Sequence, residues 1–192
     1  MGEPGTMFVS LDWYPEGTII ATNDLFMLGW AWPSPMSQIL PWEENYETWV
    51  SPGMDAELPD VEDFGHDEDH RPSDLISWRL SHSFLGDPQL WAEEGPPDTV
   101  ADPIDLVRAV RTFEVVFPSK KAMLWDTHLA YLPKEPGLRD GHWDAQTPMA
   151  FPDGHAETRN PLDAAEGVPN PMRGGDDSRL NNTPNGVRGT DY

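Results

Sequence analysis

The residues best suited to chemistry gather around Asp153-Gly154. His142, Asp144, Asp153 and His155 bring two imidazoles and two carboxylates together within a short stretch of sequence. Imidazole nitrogens and carboxylate oxygens suit Zn²⁺, Mn²⁺ or Ca²⁺ in different proportions. These four residues are therefore a candidate site for a divalent cation, although a turn alone would explain Asp153. Apart from such a cation, we expect no cofactor.

The other histidines indicate structure rather than ligation. His66 and His70 lie in an acidic run, where solvated side chains are expected. His82 takes an apolar-face position in a predicted strand, which favours a hydrogen-bonded histidine in the core. His128 is expected on the opposite face of its own strand from the apolar residues.

The common catalytic and nucleotide-binding motifs do not occur in the sequence. It has no phosphate loop ending in Gly-Lys-Ser/Thr, no Gly-x-Gly-x-x-Gly, no Gly-x-Ser-x-Gly and no His-Glu-x-x-His. Carboxylates are so abundant that any two could be brought within acid–base distance, so they identify no catalytic pair. We expect a protein that is not an enzyme.

The charge excludes several classes of partner. With 34 acids and 12 bases, the formal net charge is −22, which repels nucleic acid and anionic lipid. The chain has no Cys, and therefore no disulfide, thiolate metal site or cysteine nucleophile. Its longest apolar stretch, Leu25–Trp32, is far shorter than the ~20 residues of a spanning helix. We expect no direct membrane insertion, and the sequence carries no export signal.

The composition predicts a loop-rich, mostly β domain. The 192 residues include 16 Gly and 21 Pro, well above ordinary usage. We predict one globular domain over 1–160, with a solvated acidic loop at 55–70 that contains eight acids and no Lys or Arg. Residues 161–192 are predicted to be an irregular Asn/Gly/Pro-rich tail, which either wraps on the domain or hangs free.

Two alternating stretches predict the main strands. Residues 76–84 and 121–132 both alternate with the two-residue period of a strand, and 7–14 and 18–21 suit shorter strands. Lys121, Asp126 and His128 are predicted on the polar side. The apolar positions are predicted to share one sheet face: Ile76, Trp78, Leu80, Met123, Trp125, Leu129 and Tyr131.

Two short helices are predicted to cover that face and to bury most of the tryptophans. One spans Leu25–Trp32. The other begins at Asp102-Pro103, a preferred cap and first helical position, and ends near Thr112. Asp153-Gly154 is predicted to be a two-residue hairpin turn that pairs Pro152 with His155 and Phe151 with Ala156.

Several motifs resemble one family. His142, followed by the hairpin 150–157 with its Asp-Gly-His, resembles the C-terminal signature of the prepilin-type processing-associated domain, a pilin-like family found in Planctomycetes. Ten residues separate His142 from Asp153, where that family usually has nine. The segments 77–81, 117–124 and 182–189 are similar to other parts of the family.

The resemblance implies an α+β, pilin-like fold with an antiparallel sheet and short helices. Family members begin with a basic leader, a peptidase site and a long apolar helix, and this sequence shows none of the three. The resemblance further implies a non-enzymatic, pseudopilin-like surface or secretion-associated subunit in the cell envelope or outside the cell. Its partners would be proteins of a type IV pilus or type II secretion assembly. His142, Asp153, Gly154 and His155 would then be a structural hairpin motif.

Two alternatives stay open at this point. Nine Trp and the acidic run suggest a divalent-cation-dependent adhesion or carbohydrate-binding module, which exposed Trp in a groove would favour. The second alternative is a metal-dependent hydrolase that uses His142, Asp144, Asp153 and His155.

Overall fold

A computed structural model describes residues 8–10, 19–21, 45, 78–97, 99–100, 102–126, 145–172 and 179–192. For 8–10 and 19–21 it describes the backbone only. The predicted helix at 25–32, the acidic run at 55–70 and His66, His70, His128, His142 and Asp144 lie outside these residues.

The centre of the described fold is a four-stranded antiparallel sheet. Its strands, in the order β3-β4-β5-β6, are Trp78–Leu80, Leu124–Asp126, Thr147–Ala150 and Ala156–Arg159. Strands β1 (Phe8–Ser10) and β2 (Ile19–Ala21) form a separate antiparallel pair. This confirms the predicted antiparallel sheet. The two long alternating stretches contribute its strands β3 and β4.

The register shows that the predicted apolar face is wrong. Trp125 lies opposite Arg79 on one side and Met149 on the other, so these three side chains share a face. Trp78 lies opposite Asp126, on the other face. Both predicted strands are present, at 78–80 and 124–126, but their relative register differs by one residue from the expectation. A one-residue shift moves a strand's whole apolar set to the other face.

Strand β3 ends at Leu80, whereas alternation predicts a strand through Phe84. The Ser81 side chain accepts from Ser83 N at 3.3 Å and caps a 3-10 turn, His82–Phe84. A serine hydroxyl that bonds its own backbone competes with the sheet ladder. The alternating sequence pattern therefore extends past Ser81, but the chain turns there instead of continuing as a strand.

The helix predicted from Asp102 is also much shorter than expected. Asp102 caps it by accepting from Ile104 N at 3.0 Å, as predicted, but the 3-10 turn ends at Leu106 rather than near Thr112. Val107 bridges to Gly86, and Val110 N donates to Phe84 O at 3.1 Å. The β-branched valines therefore run extended beside 84–86.

Helical structure between 78 and 192 consists, in the described residues, of short 3-10 turns. None of these residues forms a helix long and apolar enough to cross a membrane. The turns are His82–Phe84, Pro88–Trp91, Pro103–Leu106, Thr112–Glu114, Pro161–Asp163 and Gly186–Arg188.

The segment 179–192 packs within the core. Leu180 and Val187 are wholly buried, Leu180 beside Trp125 and Met149 and Val187 beside Phe84. The backbone is paired along its length: Asn181 O accepts from Ser83 N, Asn182 O from Val168 N, and Asp191 N donates to Lys120 O, at 2.8–3.0 Å. The tail is expected either to wrap on the domain or to hang free, and its segment 179–192 wraps on the domain.

Candidate functional site

The hairpin between β5 and β6 contains a three-residue loop, Pro152–Gly154. Phe151 N donates to His155 O at 3.0 Å, and Phe151 O accepts from Gly154 N at 2.9 Å. The two-residue turn is therefore wrong: Phe151 faces His155, and Ala150 pairs with Ala156. Proline has no N–H for a ladder position, so it enters the loop, and Gly154 takes the left-handed position at φ 89°.

The side chains of this hairpin form a line of alternating charges. His155 Nδ1 lies 2.5 Å from Asp153 Oδ1, and its Nε2 lies 3.3 Å from Glu157 Oε1. Arg159 Nε donates to the same Glu157 oxygen at 2.6 Å. The His155 ring also stacks on Phe151, with 4.4 Å between centroids. The carboxylate contacts and the ring stacking together hold the His155 imidazole in place.

These contacts shift the pKa values of Asp153, His155 and Glu157 in the direction that favours the charged form of each side chain. The hydrogen bond to Asp153, and then that to Glu157, raises the pKa of His155. The bond to His155 lowers the pKa of Asp153, and chiefly the bond to Arg159 lowers the pKa of Glu157. The hairpin therefore favours an imidazolium between two carboxylates.

The candidate metal site is brought together only in part. Asp153 and His155 are in contact, while His142 and Asp144 lie outside the described residues. Both ring nitrogens of His155 already contact carboxylates, so ligation would require one of these contacts to break. Among the residues with described positions, no three His, Asp or Glu side chains form a group that could hold a metal ion.

His82 confirms its prediction as a hydrogen-bonded core histidine. Its side chain is wholly buried, and Nδ1 lies 3.2 Å from Asn182 Oδ1. It stands in the 3-10 turn after β3 rather than in the strand itself. The partner comes from the C-terminal segment, so the imidazole ties that segment to the end of β3.

Lys121, Thr183 and Asp191 form a buried polar cluster that none of the sequence-based predictions included. Lys121 Nζ lies 3.0 Å from Asp191 Oδ1 and 3.2 Å from Oδ2. The Thr183 hydroxyl bonds both Lys121 Nζ and Asp191 Oδ1, and Ala122 N donates to Asp191 Oδ2 at 2.7 Å. Burial lowers the pKa of Lys121 despite the nearby carboxylate.

The prediction that Lys121 lies on the polar side of its strand is thus wrong. It has the same parity as Met123 and Trp125, and this alternation was the signal for its burial. Asp126, also predicted on the polar side, is only 5% exposed. Nothing in the local sequence of Asp191 indicates its partner, which is 70 residues away.

A second ion cluster holds the turn Thr112–Glu114 in place. Arg108 donates to Glu114 Oε1 and Oε2 at 2.9 and 2.6 Å and to Asp87 Oδ2 at 3.1 Å. Arg111 N donates to Glu114 Oε1 at 2.9 Å. The hydrogen bond from Arg108 is the main cause that lowers the pKa of Glu114 to about 2. Glu114 thus stays ionised and keeps the turn tied to the core.

This turn begins an exposed apolar patch, which we define as Phe113, Val116 and Phe117. Their exposed fractions are 79%, 56% and 45%. Exposed Arg111 and Lys120 flank the patch in sequence, and Val116 N donates to the carbonyl of Val187, next to exposed Arg188. These three basic residues, which we call the border of the patch, contrast with the strongly acidic composition of the chain.

The tryptophans with described positions are parts of the core. Trp91 and Trp125 are wholly or almost wholly buried, and Trp78 is half-buried. Buried Trp indicates packing, whereas a sugar-binding groove would need an exposed ring.

Comparisons of the chain with protein-family models, with curated proteins and with solved structures found no match.

Proposed function

We propose that this chain is a non-enzymatic binding and assembly subunit of pilin-like type. It acts at the cell envelope or the cell surface, as a pseudopilin-like member of a type IV pilus or type II secretion assembly. The observation that carries this proposal is the apolar patch Phe113, Val116 and Phe117. The finer, pilin-like form of the antiparallel fold belongs to the same proposal.

The patch has the chemistry of a contact surface. Phenylalanines are enriched at protein interfaces, and contiguous apolar groups at a surface mark sites of association. Phe113 is 79% exposed, the largest exposed fraction of the three patch residues. The Arg108–Glu114 ion pair holds the turn in one conformation, so a partner meets a preformed surface.

The charges around the patch favour an acidic partner surface. Exposed Arg111 and Lys120 flank the patch in sequence, and the Arg111 guanidinium lies 6.0 Å from the centroid of the Phe113 ring. Exposed Arg188 follows Val187, whose carbonyl accepts from Val116 N, on a chain of net charge −22. Opposite charges at an interface speed association and select the orientation of the partners. Another subunit of similar acidity fits this border, which is the situation in an assembly built from related subunits.

The contacts within the hairpin support the interpretation that the Asp-Gly-His motif has a structural role. His155 stacks on Phe151 and contacts Asp153 and Glu157, and these contacts fix the end of the sheet. Lys121, Asp191 and His82 are likewise engaged with partners from distant parts of the chain. These His, Lys and Asp side chains therefore stabilise the fold through their contacts.

Assembly is tested in the organism that produces the protein. Antibodies against the chain are used to follow it in cell fractions and on native gels of envelope extracts. We expect the protein in envelope or sheared surface fractions, in a complex containing pilus or secretion subunits. The double variant Phe113→Ser/Phe117→Ser should run as a monomer with an unchanged unfolding midpoint.

Leu162→Ser provides the matched control, because Leu162 is also apolar and 49% exposed but lies outside the patch. It should keep the complex. The proposal is contradicted if the protein stays in the cytoplasm, or if the patch variant and the control migrate alike.

A further inference from the structure

The cluster of Lys121, Thr183 and Asp191 has the geometry of a reactive centre as well as that of an ion pair. The three side chains are at most 2% exposed. Two opposite charges in such a place lose their hydration, and their mutual attraction often only balances that loss. A reaction that removes both charges and keeps the hydrogen bond from Ala122 N to Asp191 Oδ2 is therefore favoured by the surroundings.

Lys121 is placed as a nucleophile. Its Nζ lies 3.0 and 3.2 Å from the two carboxyl oxygens of Asp191, so it faces the carboxyl carbon that joins them. Burial lowers the pKa of the Lys121 ammonium, which favours the neutral amine. Groups held this close reach very high effective concentrations, about 10⁵ M or more in well-oriented cases.

The neighbours supply the remaining functions. Ala122 N donates to Asp191 Oδ2 at 2.7 Å, where it stabilises the oxyanion of a tetrahedral intermediate. The Thr183 hydroxyl bonds both Lys121 Nζ and Asp191 Oδ1, which makes it a bridge for a proton between them. Each oxygen of the carboxyl group therefore has a distinct partner.

We propose that Lys121 and Asp191 condense in the folded protein to form an amide between Nζ and the side-chain carboxyl carbon. The neutral amine attacks the carbon of the protonated carboxyl group, and a new C–N bond forms. One amine proton passes through the Thr183 hydroxyl to Oδ1. The C–Oδ1 bond then breaks, and Oδ1 leaves as water with the carboxyl proton and the transferred proton. Oδ2 becomes the amide oxygen and keeps its bond from Ala122 N.

The product would be a covalent tie between the start of β4 and the C-terminal segment. It closes a loop from 121 to 191 and prevents the segment 179–192 from leaving the core. A cross-link of this kind stabilises mainly by restricting the unfolded chain. This inference does not depend on the proposed function.

The intact mass of the full chain, purified and then denatured, tests the proposal. We expect a mass below that calculated from the sequence by one water, about 18 Da. Trypsin should not cleave after the amidated Lys121. Digestion should therefore release one branched peptide in which 121–134 is joined to Gly189-Thr190-Asp191-Tyr192.

Variants identify the two residues that form the amide. Lys120→Arg, which changes the neighbouring exposed lysine, should keep the mass loss, whereas Lys121→Arg and Asp191→Ala should abolish it. If either of the latter fails to fold, the branched peptide from the unchanged chain still decides. Thr183→Val should form the bond several-fold more slowly after refolding.

Two results would overturn the proposal. One is a folded protein with the full sequence mass that releases 189–192 as a free peptide. The other is a water loss that maps elsewhere, for example to a cyclic imide at one of the Asp-Gly pairs, Asp140-Gly141 or Asp153-Gly154.

Discussion

Lys121 Nζ and Asp191 Oδ1 lie 3.0 Å apart, and both side chains are wholly or almost wholly buried. This contact joins the residues just before β4 to the penultimate residue of the chain. The C-terminal segment 179–192 is therefore part of the folded domain, and its contacts should contribute to the stability of the protein.

Asp191→Ala should strongly destabilise the protein. The change leaves the Lys121 amine buried without a carboxylate and removes the acceptor of Ala122 N, a loss of about 3–5 kcal/mol. Replacement of both partners, Lys121→Met with Asp191→Leu, leaves no buried charge and should recover part of the stability, but not the part that an amide between Lys121 and Asp191 supplies. Urea unfolding of the three forms measures this. Equal losses in the single and double variants would contradict it.

Leu180→Ala should test whether the C-terminal segment carries part of the core. Leu180 is wholly buried against Trp125 and Met149, so truncation should lower the free energy of unfolding by about 2–5 kcal/mol. Leu162→Ala, at a position 49% exposed, should change it by about 0.5 kcal/mol or less. Similar effects of the two changes in thermal unfolding would show that the segment does not pack as described.

Gly154 should resist substitution through its backbone alone. Its φ is 89°, and an added Cβ would meet no atom within 4 Å, so the strain comes only from the left-handed conformation. Gly154→Val should destabilise the fold by roughly 1–2 kcal/mol. Gly154→Asn should do so by less, because Asn tolerates positive φ. An unfolding midpoint for Val equal to that of the parent would contradict the hairpin geometry.

The hairpin should contribute most to stability between about pH 4.5 and 6.5. The pKa of His155 is raised, so its contribution is present below its unfolded value and is lost as pH rises through the folded value. The pKa values of Asp153 and Glu157 are lowered, so their contribution is lost as pH falls through their folded values.

His155→Phe keeps an aromatic ring on Phe151 and removes the titration. The difference in unfolding free energy between the parent and this variant should therefore shrink on both sides of that pH window. A difference independent of pH from 4 to 8 would mean that the contacts of His155 with Asp153 and Glu157 do not contribute.

The sequence predicted local features well where a short motif has one structural solution. Asp102-Pro103 opens a turn, Gly154 has positive φ and His82 is a bonded core residue, all as expected. Alternation also located strands β3 and β4.

What could not be predicted depends on contacts distant in sequence. The register of β3 against β4 decides which face holds Trp125, and no local signal fixes it. Valines 107 and 110 have helical spacing but pair with 84–86 in extended form. Lys121 is buried because Asp191 meets it from 70 residues away, within a segment whose composition indicated only irregular structure.

Photo-cross-linking at position 113 tests the proposed assembly role most directly. A photoreactive benzophenone amino acid replaces Phe113, and in a control it replaces Glu166, whose side chain is 88% exposed. Illumination of the producing cells should give an adduct at 113, with a subunit of a pilus or secretion assembly or another copy of the chain. Position 166 should give none. No adduct at 113, or equal adducts at both positions, would contradict an interaction through the apolar patch.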